Sequence, residues 1–230
     1  MKCDEVLRRL RMLSNPKNVA GMERFGINPE GTLGVSMVEV RKLAKQVGRD
    51  HVLALELWAS GVHEARILAA LVDVPGEVSL GQMEGWVVEF DSWDVCDQVV
   101  MNLFDRTPYA YDKAMEWSGR REEFVKRAGF ALMASLAVHD KKAGDEKFLR
   151  FLPLIKKGAT DERNFVRKAV NWALRQIGKR NLTLNKKAVE TAKEIQKLDS
   201  KAARWVASDA LKELSGEAVQ AKLKAKPRLK

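Results

Sequence analysis

Cysteine is scarce. The 230 residues hold two, Cys3 and Cys96, too few for a disulfide framework. Three scattered histidines (His51, His63, His139) do not supply the clustered spacing of a metal site. Neither a metal nor an organic cofactor is expected. No run of about 18 uncharged apolar residues occurs, so no membrane span is expected. The opening "MKCDEVLRRLRML" is charged throughout and lacks the apolar stretch of a signal peptide. With so few thiols, the expected location is a reducing cytoplasm. Strand patterns are missing too: no segment alternates apolar and polar residues between hairpin turns.

Helical periodicity fills the space these absences leave. It predicts helices over 4–13, 36–47, 51–59, 63–72, 80–88, 92–104, 109–118, 122–138, 145–156, 162–178, 185–197 and 200–214. Residues 14–35, with Gly and Pro at several points, read as a loop or short turn-like helices. Asp91 or Ser92 is expected to cap the helix after it, and Thr160 or Asp161 the one ending at Gly178. Helices joined by short linkers suggest an all-α chain of stacked antiparallel pairs, an α-solenoid, with a globular bundle as the alternative. "REEFVKRAGFAL" (121–132) and "DERNFVRKAVNWAL" (161–174) echo each other about 40 residues apart, a spacing of the HEAT class. We expect one HEAT-like repeat domain over 1–214, curved around a basic concave groove, and a flexible basic tail over 215–230.

Charge is uneven along the chain. The formal net charge is +10, yet residues 51–100 hold nine acidic residues against Arg66 alone. Residues 151–200 hold twelve basic and five acidic ones. A basic C-terminal half is the footprint of a polyanion partner, or else a solubilising surface. On the wheel of 162–178, Val166, Ala169, Val170, Ala173 and Ile177 form the core stripe. Trp172 lies off it, on the flank shared with Phe165, Lys168, Arg175 and Lys179. An aromatic plate among cations suits a sugar–phosphate backbone, and equally suits the edge of a core. In 122–138, Phe124, Ala128, Leu132 and Ser135 form the inner face. Arg127 stands beside Ala131 and Ala134, with room to reach a phosphate or an ion-pair partner on another helix.

"FDSWDVCDQVVMNLF" (90–104) holds an oddity. Trp93 and Asp97 stack one helical turn apart, although Asp is a poor mid-helix residue. Asp94 lies about 60° from Asp97, away from the core side, and is not expected to take part.

The blocks "GMERFGI", "GVSMVEVRKLAK", "LALELWASGVHEARILAALV", "FDSWDVCDQV", "FVKRAGFALMASLAVHDK" and "NFVRKAVNWALRQIGKRN" follow one another from about Gly21 to Leu214. In this order they make the chain resemble the AlkD-type DNA alkylation repair family, alkylpurine DNA glycosylases built from HEAT-like repeats. The resemblance implies an active cleft formed by Trp93, Asp97, Arg127 and Trp172, with Phe25 also meeting DNA. Two positions depart from the family pattern: Phe25 lacks a tyrosine hydroxyl, and Asn164 stands where a second aromatic is expected. The implied substrate is double-stranded DNA containing alkylated purines, handled by a monomer. Alkylation at N3 or N7 makes the purine a cationic leaving group, so a carboxylate that stabilises an oxocarbenium-like sugar suffices. The implied activity is hydrolysis of that N-glycosidic bond. The alternative is a non-catalytic helical-repeat protein that reads damaged or branched DNA by shape and does not need Asp97.

Overall fold

The computed structural model describes residues 1–225; the last five residues of the expected tail lie outside them. The described residues contain helices and turns and no strand. They divide into two compact units, one ending at Pro108 and the other starting at Tyr109.

The first unit contains α1 (Cys3–Met12), α2 (Pro16–Arg24), α3 (Met37–Val47), α4 (His51–Ala59), α5 (His63–Val72), α6 (Leu80–Val88) and α7 (Trp93–Asn102), closed by a 3-10 turn, Phe104–Arg106. α4 and α5 pack as one helical pair, and α5 also meets α3 and α7. The apolar run of α5 explains its central place, with Ala65, Leu68, Ala69, Ala70 and Val72 wholly buried. Trp58 of α4 and Trp86 of α6 stack face to face at 4.1 Å. The stretch 14–35, read as a loop or short turn-like helices, holds one helix, α2. Asn15 caps it by accepting from the amides of Lys17 and Asn18, and Pro16 fills its first position.

The second unit contains α8 (Ala110–Trp117), α9 (Glu123–His139), α10 (Asp145–Leu149), α11 (Leu152–Gly158), α12 (Asn164–Gly178), α13 (Leu182–Gln196), α14 (Lys201–Leu214) and α15 (Glu217–Ala225). The echoing segments are α9 and α12, which pack on each other. α8 pairs with α9, and α13 with α14, as HEAT-like antiparallel pairs. Their repeat-related phenylalanines, Phe124 and Phe165, meet with centroids 5.6 Å apart. α9 is buried nearly all round, from Arg127 to Ala137. Gly129 is the reason it can sit so close to α8: a Cβ there would run into the backbone of Trp117 and Ser118.

Three local expectations need correction. The stretch 145–156 is two helices, broken at Arg150–Phe151, with Pro153 in the first turn of the second. The helix expected from 162 begins at Asn164, with Arg163 at its N-cap; the Asp161 carboxylate accepts from the Arg163 amide and side chain and from Lys126. Residues 217–225 of the expected tail are helical, with Leu223 buried and Gln220 donating to Asn185 and to the Leu214 carbonyl.

Candidate nucleic-acid interface

In the first unit the candidate residues gather at the start of α7. Helical spacing places Trp93 and Asp97 one above the other, and both are partly exposed. The indole Nε1 of Trp93 donates to the main-chain carbonyl of Phe25 at 3.1 Å. Phe25 ends α2 and is 75 % exposed. Ser92 stands at the N-cap position but does not cap; its hydroxyl accepts from the amide of Asn28 at 2.9 Å. Asp91 accepts from the Asn28 side chain at 2.8 Å. The two residues named as alternative caps therefore bind the loop after α2 to the start of α7. Gly26 turns that loop with a positive φ of 77°, which costs glycine little.

Two side chains not singled out in the sequence complete this arrangement. Glu64 of α5 is buried, and its carboxylate accepts from the amides of Leu33, Gly34 and Val35 at 2.9, 2.6 and 3.0 Å. His63 is buried with Nε2 2.8 Å from Asp94. Burial opposes its charge, but the hydrogen bond and charge of Asp94 prevail and hold His63 above its ordinary value. Asp94 is thus engaged by His63. Neither contact has a sequence signal, since the partners lie about 30 residues apart.

In the second unit the core stripe of α12 is as expected, with Val166, Ala169, Val170, Ala173 and Ile177 all at zero exposure. Trp172 and Phe165 are partly exposed, and Lys168 is exposed. Arg127 is buried in α9 and reaches another helix, where its Nη1 donates to the Phe165 carbonyl at 2.6 Å. Arg175 and Lys179 are engaged by one carboxylate, Glu213 of α14: Lys179 Nζ stands 2.6 Å from it and Arg175 Nη1 bonds it too. Burial works against that carboxylate, yet the two cations outweigh it and hold Glu213 below the usual range. Arg175 also lies 3.6 Å from Asp209. Asn164, the expected aromatic position, is exposed and accepts from Arg167 at 3.2 Å.

Among the described residues there is no group of three His, Cys, Asp or Glu that could hold a metal ion. No helix among them is long and apolar enough to cross a membrane.

Comparison with known proteins places the chain. The family model for DNA alkylation repair enzymes matches residues 6–214. "Uncharacterized protein Lin0241" of Listeria innocua is 23 % identical over 199 residues, spanning 85 % of this chain and 87 % of its own. A solved structure is described as a new family of proteins related to the HEAT-like repeat DNA glycosylases with affinity for branched DNA structures. It covers 100 % of this chain and 99 % of its own, with a TM-score of 0.79 and 22 % identity. At that identity the likeness is one of fold.

Proposed function

Because this chain belongs to the family of DNA alkylation repair enzymes, we propose that it is a DNA glycosylase. Its substrates are cationic alkylated purines, N3-alkyladenine and N7-alkylguanine, in double-stranded DNA. The observation that carries this reading is Asp97 one turn from Trp93 on α7, both partly exposed, with the indole anchored to the end of α2.

The chemistry needs little more than a placed negative charge. Alkylation has already made the base cationic, so the C1′–N bond breaks with its electron pair leaving on a neutral purine. Positive charge then builds on the sugar, and the Asp97 carboxylate stabilises it. Such preorganised electrostatics are worth far more in a site shielded from water than in solution. Water adds to C1′, and in this reading Asp97 orients it and accepts its proton. The Trp93 ring face attracts the developing cation, an effect of about 0.5–2 kcal/mol. In the second unit, Trp172 and Lys168 present an aromatic plate and a cation suited to the sugar–phosphate backbone. Arg127 is suited to phosphate.

The test is release of free base from methylated duplex DNA by the wild type and by Asp97→Asn. The expected outcome is release that falls by about a hundredfold or more in the variant, with folding and duplex binding kept. A second reading, a binder that reads damaged or branched DNA by shape, draws support from the branched-DNA affinity described for the structurally similar protein. It predicts tight DNA binding, no base release by the wild type, and no effect of Asp97→Asn.

A further inference from the structure

Trp205 lies outside every group so far discussed. The core side of α14 is already filled by Ala202, Ala203, Val206, Ala207 and Ala210, all at or near zero exposure. Trp205 stands on the flank of that stripe, and the residue is 39 % exposed. Across from it on α12, the guanidinium of Arg167 lies over the ring, 4.7 Å from its centroid. Arg167 is itself steadied by the Asn164 side chain at 3.2 Å. An aromatic ring backed by a cation is stiffened and kept from folding onto the surface, while its remaining area faces water.

Charges of both signs flank Trp205 along α14. Lys201 is exposed one helical turn before Trp205. Arg204 is exposed, with Asp199 at 3.4 Å. The carboxylate one turn after Trp205, Asp209, is shared with Arg175 at 3.6 Å.

The geometry points to a second nucleic-acid site on α12 and α14, a stacking plate for unpaired nucleotides of single-stranded DNA. The inference rests on the DNA-binding part of the reading above. It concerns a different ligand from the duplex, because paired bases hide their faces in the stack and cannot lie on an indole. A nucleotide in a single-stranded arm can, with its base on Trp205 and its flanking phosphates near Lys201 and Arg204. The chain would then hold a duplex that carries an unpaired arm more tightly than a blunt duplex.

The experiment uses the full chain and two DNAs of equal total length, a blunt duplex and a fork with unpaired arms, one arm carrying 2-aminopurine. Wild type should bind the fork more tightly and quench the 2-aminopurine. Trp205→Ala should weaken fork binding by about fivefold or more, the scale of one lost stacked base. It should leave blunt-duplex affinity unchanged and abolish the quench, while Trp205→Phe restores both. Lys201→Gln, which leaves the ring in place, should lower the salt dependence of fork binding by about one ion. Equal losses on fork and duplex, no loss on either, or failure of phenylalanine to rescue would each overturn the proposal. Blunt-duplex binding and base release report on the glycosylase reading. The arm-dependent part of the affinity reports on Trp205.

Discussion

Trp93 and Phe25, 68 residues apart in the chain, are joined by a hydrogen bond from indole Nε1 to main-chain carbonyl at 3.1 Å. The bond uses the backbone of Phe25 and leaves its ring in solvent. One contact thus orients the tryptophan above Asp97 and holds a second aromatic beside it. Trp93→Phe keeps a ring and deletes the donor. We expect a stability loss of about 1 kcal/mol and a fall in base release of about tenfold, with KM for duplex DNA changed less than kcat. Unchanged kcat would show that the orientation of the indole does not matter.

His63 makes the first unit sensitive to pH. Its folded-state pKa lies above the ordinary value of 6.5, because Asp94 outweighs the cost of burial. A raised pKa means that the protonated pair contributes fully below the unfolded value and that this contribution fades as pH climbs through the folded one. The urea midpoint of the wild type, measured against His63→Gln, should therefore decline from pH 6 to pH 8. A difference that is flat or grows over this range would remove His63 as the cause.

Glu64 gathers three backbone amides on one buried carboxylate. Glu64→Ala leaves those donors without it, at about 1–3 kcal/mol for each that stays dry. Hydrogen exchange at Leu33, Gly34 and Val35 should accelerate in the variant far more than exchange in α9. Equal acceleration everywhere would indicate global unfolding instead.

Glu213 holds two of the cations expected to meet DNA. Glu213→Gln removes a negative charge and loosens Arg175 and Lys179. The carboxylate is partly exposed, so stability should change by no more than about 1 kcal/mol. Affinity for duplex DNA should rise, and its salt dependence should steepen by one to two ions, roughly as each freed cation contributes one. Lys168→Ala should do the opposite, lowering the slope by about one. If neither slope moves, this flank does not face DNA.

The helices were largely legible in the sequence: α4, α5 and α6 begin and end where periodicity places them. Asn15–Pro16 carried the cap signal for α2, but the glycines and proline that follow masked it. Periodicity also fixed the face of α12, because Val166 through Ile177 repeat at the helical step. It did not reveal what the off-stripe residues touch. Glu213 meets Lys179 and Arg175 across 34 and 38 residues, and His63 meets Asp94 across 31. Such pairings depend on how helices pack, for which no local spacing rule exists. Trp205 was invisible for a related reason: on the α14 wheel it is one more flank residue, and only the position of Arg167 sets it apart.

The Glu64 contacts have a consequence for the order in which the first unit assembles. Residues 33–35 belong to no helix, and three of their amides are satisfied by a side chain carried on α5. Loop closure of this kind gains its compensating bonds only after the distant partner is in place. The segment around residues 33–35 therefore gains these bonds only once α5 is in place. Mild destabilisation of α5 is therefore expected to loosen the Phe25 segment, and with it the bond that orients the Trp93 indole, before the helical pair itself opens.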